Sequence, residues 1–337
     1  MKKILITGGA GYIGSHTAVE LVNAGFEPII LDDFSNSQAS VVDRLGEIIG
    51  REVICFEGDC NDKSILEKIY KDHPFEGVIH FAAFKAVGES TQLPLKYYQN
   101  NIGSLVVLLG FMKEKGIQNI VFSSSCTVYG QPDSLPVTED TPRKDAESPY
   151  GNTKKICEDI LVDFVKSKAG VKVVSLRYFN PVGAHPSAKI GELPNGTPNN
   201  LVPFVTQTAA GIREKITVFG DDYDTIDGSC VRDFIHVMDL ANAHVKALAY
   251  LEEQKVDFYD VFNVGTGNGN TVLEIIQTFE KVNRIKLNYE IGPRRPGDVV
   301  KIWADTTKIN SVLGWHPQYT LEDSLRDSWN WEKSLTK

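Results

Sequence analysis

Gly8-Gly9-Ala10-Gly11-Tyr12-Ile13-Gly14 decides the fold, and it stands between the apolar run Lys3–Thr7 and the amphipathic segment Tyr12–Ala24. The stretch satisfies both G-x-x-G-x-x-G, counted from Gly8, and G-x-G-x-x-G, counted from Gly9. Glycines alone are weak evidence, since they are also typical of a tight turn. A strand before them and a helix after them are what a dinucleotide-binding turn requires, because the backbone and the helix N-terminus then meet the pyrophosphate.

The second apolar run ends in an acidic residue, Asp32, eighteen residues after Gly14. An acid at this place hydrogen-bonds the adenosine ribose of a dinucleotide and repels a 2′-phosphate. Taken alone, Asp32 is also compatible with an ordinary turn that continues into Asp33. Because strand, glycines and acid occur together, the sequence predicts binding of NAD rather than NADP.

Short apolar runs alternate with amphipathic segments through the first half of the chain. The runs predicted as strands are Lys3–Thr7, Pro28–Asp32, Val53–Glu57, Gly77–Phe81, Asn119–Ser123 and Val171–Arg177. The segments predicted as helices are Tyr12–Ala24, Lys63–Asp72, Lys96–Lys115 and Pro149–Ser167. Continuous apolar strands separated by helices are typical of a parallel sheet covered on both faces. The predicted fold class is therefore α/β, a doubly wound parallel (Rossmann-like) sheet that binds ligands at the carboxyl ends of its strands.

The pattern changes after Arg177, where a turn-rich stretch runs from residue 180 to residue 200. Long irregular stretches inside a compact chain are usually functional. Beyond it we predict helices at Val202–Ala210, Met238–Glu252, Thr271–Val282 and Leu321–Trp331, and a strand at Tyr259–Val264. That strand is expected to return to the main sheet, so the predicted dinucleotide-binding domain is 1–180 with a returning segment 237–267. Residues 181–236 and 268–337 are predicted to form a smaller, mixed α/β substrate lobe.

The composition excludes several classes of protein. With 337 residues and a formal net charge of −9, no nucleic-acid partner is expected, because phosphate backbones are bound by basic faces. The N-terminal apolar run is too short for a signal peptide, and no run reaches the ~18 apolar residues of a membrane span. Five scattered cysteines without a C-x-x-C pair predict a reduced, cytoplasmic protein. The seven histidines contain no H-E-x-x-H motif, so no metal is expected.

Tyr150 and Lys154 follow Pro149, a residue common in the first turn of a helix. Their spacing puts both side chains on one helical face. A phenol with a pKa of about 10 is a poor base near neutrality, and an adjacent ammonium together with a nicotinamide cation would lower that pKa. Tyr-x-x-x-Lys also occurs by chance on amphipathic helices. The motif is stronger evidence for a catalytic site here because Ser123-Ser124-Ser125 stands at the end of the fifth predicted strand, where a doubly wound fold binds its ligands.

Together these features resemble the extended short-chain dehydrogenase/reductase superfamily and, within it, the UDP-galactose 4-epimerase family, over essentially the whole chain. The segments that carry the resemblance are Gly8–His16 (GGAGYIGSH), His80–Ser90 (HFAAFKAVGES), Ser123–Gly130 (SSSCTVYG), Ser148–Lys154 (SPYGNTK), Arg177–Pro186 (RYFNPVGAHP), Pro198–Leu201 (PNNL), Val231–Asp239 (VRDFIHVMD) and Pro293–Asp298 (PRRPGD). The resemblance implies an isomerase that inverts C4 of a UDP-hexose, UDP-galactose to UDP-glucose, through a 4-keto sugar with the hydride held on bound NAD. It also implies a homodimer that pairs the helices predicted at Lys96–Lys115 and Pro149–Ser167.

The resemblance further implies roles for individual residues. Tyr150 would take the proton of the sugar 4-hydroxyl, Ser125 would hydrogen-bond both groups, and Lys154 would hold the nicotinamide ribose and lower the pKa of Tyr150. The implied cofactor contacts are Gly8, Gly11, Tyr12, Ile13, Gly14, Asp32, Asn36, Asp59, Phe81, Ala82, Lys85, Asn100, Ser125, Tyr150, Lys154 and Phe179. The implied substrate contacts are Ser125, Tyr150, Asn180, Asn200, Leu201, Phe219, Arg232, Arg295, Asp298 and Ile302. Two arginines suit a diphosphate, because each guanidinium offers a fork of donors.

Two other functions are compatible with the same fold. A nucleotide-sugar 4,6-dehydratase is characterised by Thr-Asp-Glu before Val-Tyr-Gly, whereas this chain has Ser125-Cys126-Thr127. Elimination of water without that carboxylate pair lacks its acid and base, so we reject this function. A non-catalytic NAD-sensing protein would not need Ser125, Tyr150 and Lys154 together.

Three positions depart from the family pattern. Cys126 replaces a commoner alanine, and Ala83 stands where a glycine is frequent. Ile302, by its distance from Asp298, matches a position near the sugar that is often tyrosine or cysteine. A small residue there leaves room for a 2-N-acetyl group, a large one fills it, and isoleucine is intermediate or serves plain strand packing. We therefore predict a preference for non-acetylated UDP-hexoses, with UDP-N-acetylhexosamines or other UDP-sugars as the alternative substrates.

Overall fold

The computed structural model describes residues 1–295 and 298–335 of the chain. The strands are β1 Lys3–Thr7, β2 Glu27–Asp32, β3 Ile54–Glu57, β4 Gly77–His80, β5 Asn119–Ser125, β6 Lys172–Tyr178, β7 Asn180–Val182, β8 Ile216–Phe219, β9 Val231–Arg232, β10 Phe234–His236, β11 Phe258–Val264, β12 Asn270–Thr271, β13 Tyr289–Gly292 and β14 Lys301–Ile302. The α-helices are α1 Tyr12–Asn23, α2 Ser40–Ile49, α3 Lys63–Asp72, α4 Val87–Gln92, α5 Pro94–Tyr97, α6 Gly103–Lys115, α7 Pro149–Lys166, α8 Leu201–Ala209, α9 Val237–Glu253, α10 Val272–Asn283, α11 Thr307–Leu313 and α12 Leu321–Leu335. None of these described helices is both long and apolar enough to cross a membrane. In the predicted segment Pro293–Asp298, Pro296 and Gly297 lie outside the described residues.

The central sheet has seven strands, all parallel, in the order β3-β2-β1-β4-β5-β6-β11. Thr7, at the end of β1, pairs with Leu31 on one side and with His80 on the other. The strand order changes direction between β1 and β4, so a crevice opens at the carboxyl ends of these two strands. The doubly wound parallel fold is therefore confirmed, and the strand predicted at Tyr259–Val264 returns to the sheet as β11.

Apolar residues fill both faces of this sheet. One core cluster joins Ile4 and Ile6 of β1 to residues of α1, α9 and α11. The opposite cluster joins Leu5 of β1 to residues of α3, α6 and α7. Successive side chains of a strand point to opposite faces, so burial on both sides accounts for the uninterrupted apolar runs of the sequence.

A third core cluster lies among residues 182–325 and packs α8, α10 and α12 around Val205, Ile275 and Leu325. Small sheets border it: β7 pairs with β10, β8 with β13, and β9 lies between β12 and β14. The buried carboxylate of Asp233, between β9 and β10, accepts hydrogen bonds from the backbone amides of Thr266, at 2.8 Å, and Ala304, at 3.2 Å. The carboxylate thus holds separate segments together, while the division into two domains stays a prediction.

The helices differ from the prediction in two respects. Lys96–Lys115 is not one α-helix, because α5 ends at Tyr97, Tyr98–Ile102 is a π-helical turn, and α6 begins after it. A π turn keeps the chain helical, so apolar periodicity does not reveal it. Helices α2, α4 and α11 are additional. The sequence does contain a signal for α2, since apolar residues recur at helical spacing in Val41, Val42, Leu45, Ile48 and Ile49.

Candidate active site

The glycine turn after β1 is packed too tightly for side chains. Gly8 has a φ of +70°, and a Cβ on it would lie 2.8 Å from the backbone nitrogen of Ala82. A Cβ on Gly14 would lie 2.4 Å from the carbonyl oxygen of Gly8. Helix α1 begins at Tyr12, immediately after Gly11, and has no acidic residue in its first turn. The turn therefore aims the N-terminus of α1 at the crevice between β1 and β4, an arrangement that suits a pyrophosphate.

Asp32 ends β2 and holds the glycine turn in place. Its side chain is buried, and the carboxylate accepts hydrogen bonds from the amides of Ala10, at 2.9 Å, and Phe34, at 3.0 Å, and from the Ser37 hydroxyl, at 2.8 Å. Burial raises the pKa of Asp32, and these three bonds act in the opposite direction. Oδ2 accepts only the Ala10 bond among the described residues, so it retains a lone pair for a ligand hydroxyl. Asn36 lies exposed on the loop beyond.

The predicted cofactor residues after β3 and β4 lie along the same edge of the sheet. The Phe81 ring packs 4.7 Å from the His244 ring, centroid to centroid. Asp59 accepts a hydrogen bond from the side-chain amide of Asn61 at 2.9 Å, and the same amide donates to Asn100 at 3.3 Å. Asp59 and Asn100, which are far apart in sequence, are thus brought together through one asparagine.

Ser125 and Tyr150 meet where β5 ends and α7 begins. Strand β5 runs two residues further than predicted, so Ser125 is its last residue, and the Ser125 hydroxyl oxygen accepts from the amide of Thr127 at 3.2 Å. Ser148 caps α7 by accepting from the amide of Gly151 at 3.2 Å, which places Tyr150 in the first turn of the helix. The side chain of Tyr150 lies beside that of Ser125, close enough for Ser125 to influence its pKa.

Lys154 lies one turn further along α7 and is 4% exposed. Its ammonium donates to the carbonyl oxygen of Ser123 at 2.6 Å and lies 5.0 Å from the centre of the Phe122 ring. Burial lowers the pKa of Lys154 to about 8, and the neighbouring Cys157 and Glu158 raise it. The charged form of Lys154 is therefore held only weakly at the end of β5.

The pKa of Tyr150 differs from the sequence-based expectation. Burial raises the pKa of Tyr150 to about 12, and the neighbouring Ser125 hydroxyl only partly opposes this effect. We expected Lys154 to lower the pKa of Tyr150, but burial has the larger effect. The Lys154 ammonium donates its hydrogen bond to the Ser123 backbone instead. The side chains of the protein alone leave Tyr150 protonated near neutral pH.

A buried polar network supports the end of β5 from behind. Glu158, one turn beyond Lys154, forms a bidentate pair with Arg177 of β6, at 2.9 and 2.7 Å. Glu158 also accepts from the Ser124 hydroxyl at 2.5 Å, and Arg177 donates to the Tyr129 hydroxyl at 3.0 Å. The network ties β5 and α7, which carry the three predicted catalytic residues, to β6.

Two of the predicted substrate arginines converge on one carboxylate. Arg295 donates two hydrogen bonds to Asp298, at 3.1 and 2.7 Å, and Arg232 of β9 lies 3.6 Å from the same carboxylate. The Arg295 guanidinium lies 5.6 Å from the centre of the Phe219 ring, and the side chain is 54% exposed. The four predicted residues form one cluster with positive charge open to solvent, as the binding of a diphosphate would require.

Ile302 and Cys126 share an apolar cluster with Phe179. Ile302 is 4% exposed and pairs with Arg232 in the register of β14 and β9. Burial raises the pKa of the Cys126 thiol to about 12, and the charge of Arg232 lowers it. Since Cys126 directly follows Ser125, the cluster places Ile302 both in strand packing and beside the carboxyl end of β5.

The remaining predicted substrate residues lie near the turn-rich stretch. Asn180 begins β7 and is partly buried. Asn200 and Leu201 stand at the start of α8, and the side-chain amide of Asn200 donates to Glu192 at 2.7 Å. Lys85, predicted to contact the cofactor, forms an ion pair with the same Glu192 carboxylate at 3.1 Å. The structure therefore joins a predicted cofactor residue and a predicted substrate residue through an acid that was not predicted.

Three buried or partly buried acids were missed by the sequence reasoning: Glu158, Asp233 and Glu192. Glu158 follows Lys154 by four residues on the same helix, a spacing that could have indicated it. Asp233 stands between Arg232 and an apolar run, so it is an acid where burial is expected. Glu192 lies in the irregular stretch and carries no signal of its own.

Several of the cysteines and histidines are buried in the described part of the chain. The five cysteines are free. Burial lowers the pKa of His16 and of His80 to about 3 and that of His244 to about 4, so all three are neutral near pH 7. Residues 1–295 and 298–335 contain no group of three or more His, Cys, Asp or Glu side chains that could hold a metal ion.

Comparison with known proteins identifies the family. Residues 5–328 match the family model described as GDP-mannose 4,6 dehydratase. The chain is 49% identical to the UDP-glucose 4-epimerase of Bacillus subtilis (strain 168), over 98% of this chain and 97% of that protein. The solved UDP-glucose-4-epimerase of Stenotrophomonas maltophila, with bound NAD and formylated UDP-arabinopyranose, matches with a TM-score of 0.97 and 45% identity, over 100% of this chain and 99% of the other. That of Bifidobacterium longum, in complex with NAD+ and UDP, matches with a TM-score of 0.95 and 44% identity, over 99% and 98%.

The matching family model and the matching proteins are named after different reactions. The family model is named after a dehydratase, but Ser125-Cys126-Thr127 stands at the end of β5 without the carboxylate pair that elimination needs. The full-length relatives are UDP-glucose 4-epimerases, and the predicted resemblance is confirmed. The chain belongs to the UDP-glucose 4-epimerase family.

Proposed function

We propose that the chain interconverts UDP-galactose and UDP-glucose by transient oxidation of the sugar at C4, with NAD that stays bound. The observation that carries this proposal is the convergence of Ser125, Tyr150 and Lys154 at the carboxyl end of β5. Full-length likeness to UDP-glucose 4-epimerases, two of them solved with NAD or NAD+, supports it.

The glycine turn fits a dinucleotide, because its glycines allow the turn to pack tightly against the Ala82 backbone and α1 to begin directly after it, where free helix amides would meet the pyrophosphate. The residues proposed to hold NAD are Gly8, Gly11, Tyr12, Ile13, Gly14, Asp32, Asn36, Asp59, Phe81, Ala82, Lys85, Asn100, Ser125, Tyr150, Lys154 and Phe179. When bound, NAD supplies a reversible hydride acceptor. Asp32 favours NAD over NADP, because its buried carboxylate would repel a 2′-phosphate.

In the proposed chemistry, the side chains move one proton and hold the sugar oxygen. Tyr150 takes the proton from the 4-hydroxyl, and Ser125, beside Tyr150, keeps that hydroxyl within reach. Lys154 provides a buried positive charge one helical turn from Tyr150, which favours the phenolate. Return of the hydride to the opposite face of C4, and of the proton to the oxygen at C4, would give the epimer.

Inversion requires that the 4-keto sugar turns over while the nucleotide stays fixed. The proposed grip on UDP consists of Asn180, Asn200, Leu201, Phe219, Arg232, Arg295 and Asp298, in a lobe of residues 181–236 and 268–337. The paired arginines supply the local positive charge that an acidic chain otherwise lacks for a diphosphate. Strong contacts to the diphosphate and few to the hexose would leave the sugar free to rotate.

We infer a preference for hexoses without a 2-N-acetyl group. Ile302, proposed to lie near the sugar, is packed against the cluster that contains Cys126 and Phe179. A buried, branched side chain there leaves less room than a cysteine would. The test is to measure kcat/KM for UDP-galactose and for UDP-N-acetylgalactosamine, with the higher value expected for UDP-galactose. Similar kcat/KM values would contradict the preference.

We also propose a homodimer in the cytoplasm. Helix α6 carries Val106, which is 51% exposed, and the nearby Leu95 is 79% exposed. Apolar residues on a solvent-facing helix suit a second copy of the same surface. The five free cysteines are consistent with a reducing compartment.

The test is to incubate the purified protein with UDP-galactose, without added cofactor, and to follow the anomeric sugar signals by NMR. We expect UDP-glucose to form until equilibrium without net NADH, which requires retained NAD. Turnover that begins only when NAD is added would show an epimerase with an exchangeable cofactor. Tyr150→Phe is the matched variant, and unchanged turnover in it would contradict the role of Tyr150. Absence of turnover even with NAD would contradict the proposed substrate.

A further inference from the structure

The segment between β7 and α8 folds back on itself before it reaches Glu192. Ala184 and Gly191 form an antiparallel bridge, and the amide of His185 donates to the carbonyl oxygen of Ile190 at 3.1 Å. A Cβ on Gly191 would lie 2.5 Å from the ring of Trp331 in α12. This close packing fixes the backbone that immediately precedes Glu192.

Glu192 is also held through its own backbone. Its carbonyl oxygen accepts from the Trp331 indole nitrogen at 2.9 Å. The side chain is 11% exposed, so the carboxylate is largely removed from water. A carboxylate in such a place needs partners, because a buried charge without hydrogen bonds is costly.

The two partners of this carboxylate come from different parts of the molecule. Lys85, on the loop after β4 of the central sheet, donates to Oε1 at 3.1 Å. Asn200, before α8, donates to the same oxygen at 2.7 Å. Glu192 also faces Tyr12 at the start of α1, where burial raises the pKa of the phenol and the Glu192 charge raises it further. One acid thus bridges the edge of the glycine-turn crevice to the start of α8.

On the basis of the proposed retention of NAD, we propose that Glu192 is a latch that keeps the cofactor crevice closed. It positions Lys85 at the mouth of the crevice and ties that lysine to the segment that leads into the substrate lobe. An ammonium has three donors, so Lys85 can keep its bond to Glu192 and still offer donors to a pyrophosphate. Opening the crevice separates the ion pair and leaves a largely buried carboxylate with one partner fewer.

Among the described residues, the other ion pair between this segment and the nucleotide-binding part is more exposed. Lys189 and Glu47 form an ion pair at 2.7 Å, but their side chains are 42% and 59% exposed. Such surface pairs contribute little, because water screens them. Lys85 is itself 47% exposed, so the strength of the latch comes from the burial of the Glu192 carboxylate and from its second bond to Asn200.

The test is the rate at which bound NAD leaves the protein, measured by exchange against excess labelled NAD in the absence of substrate. We expect Glu192→Gln to lose NAD about fivefold faster than the wild type, as expected for the loss of one partly buried ion pair. Lys189→Gln, in the same segment, is the matched control and should exchange NAD at the wild-type rate. With saturating NAD in solution, the thermal unfolding midpoint of Glu192→Gln should stay close to that of the wild type, which shows that the variant is folded.

Equal exchange rates in Glu192→Gln and the wild type would overturn the latch and leave the proposed epimerase function intact. Equally fast exchange in Glu192→Gln and Lys189→Gln would also overturn it, because docking of the whole segment would then be responsible. A wild-type protein that holds no NAD through purification would instead contradict the proposed retention of the cofactor, and the latch with it.

Discussion

Tyr150 shows how far a single residue can depart from the chemistry assigned to it. Its pKa is raised to about 12 by burial, although the neighbouring Ser125 hydroxyl lowers it. A base that works near neutrality needs a much lower value. The cation of a bound nicotinamide would favour the phenolate, so Tyr150 depends on the cofactor as well as on its own neighbours.

We therefore expect Tyr150 to remain protonated up to about pH 11 in protein stripped of NAD, and to ionise at lower pH after NAD is restored. The measurement is the phenolate absorbance during a pH titration, as the difference between the wild type and Tyr150→Phe. Ionisation of Tyr150 near neutral pH in the stripped protein would contradict the effect of burial.

Burial shifts the pKa of Lys154 in the opposite direction from that of Tyr150. Burial lowers its pKa to about 8, so we expect kcat to fall as the pH rises through that value, because the neutral amine no longer favours the phenolate of Tyr150. In Lys154→Arg this decline should move to higher pH, since a guanidinium keeps its charge. A decline that stays at the same pH in the variant would exclude Lys154 as its cause.

The same shift affects stability with a different sign. The pKa of Lys154 is lower in the folded protein than in the unfolded chain, where it is about 10.5. Between these values the unfolded chain binds more protons, so the contribution of Lys154 to stability rises with pH. Thermal unfolding measured over the same pH range should therefore show no loss of stability from the deprotonation of Lys154. The fall in kcat would then not be caused by unfolding.

At the scale of single elements, the buried pair Glu158–Arg177 joins α7 to β6 with side chains that are 1% and 6% exposed. We expect Arg177→Met to lower the free energy of unfolding by about 3 kcal/mol or more, because it leaves Glu158 buried without its main partner. Replacing both residues, in Arg177→Met with Glu158→Leu, should recover part of that loss. Urea unfolding measures these differences.

The control for this buried pair is an ion pair on the surface. Lys63 and Glu114 form an ion pair at 2.6 Å with side chains 49% and 45% exposed. Lys63→Met should leave the urea midpoint unchanged, because solvent screens such a pair. If Arg177→Met were no more destabilising than Lys63→Met, the network behind β5 would not support the site.

The elements of the central sheet could be predicted from the sequence because their signal is local. Strands buried on both faces are apolar throughout, and β1, β2 and β4 lie within one residue of their predicted bounds. The two extra residues of β5, which include Ser125, are serines with no apolar signal, and only their pairing with β6 reveals them. The bounds of such a polar strand end depend on tertiary contacts.

At the scale of the whole molecule, the site could be predicted only where a motif carries its own chemistry. The glycine turn and Tyr150 with Lys154 are such motifs. The link from Lys85 to Asn200 could not be predicted from a motif. It joins positions far apart in sequence through Glu192, which lies in a stretch without periodicity. Contacts of this kind arise from the way the segments are packed together.

The proposed assembly of two chains would also depend on packing at the surface. The exposed Val106 lies on α6, on the side of the sheet opposite α11. We expect light scattering to give a dimer for the wild type and a monomer for Val106→Glu, because a carboxylate buried between two copies would be unpaired. Val312→Glu, at a residue of α11 that is 43% exposed, is the control and should remain a dimer. A wild-type monomer would contradict the proposed assembly, and a dimeric Val106→Glu would place the interface away from α6.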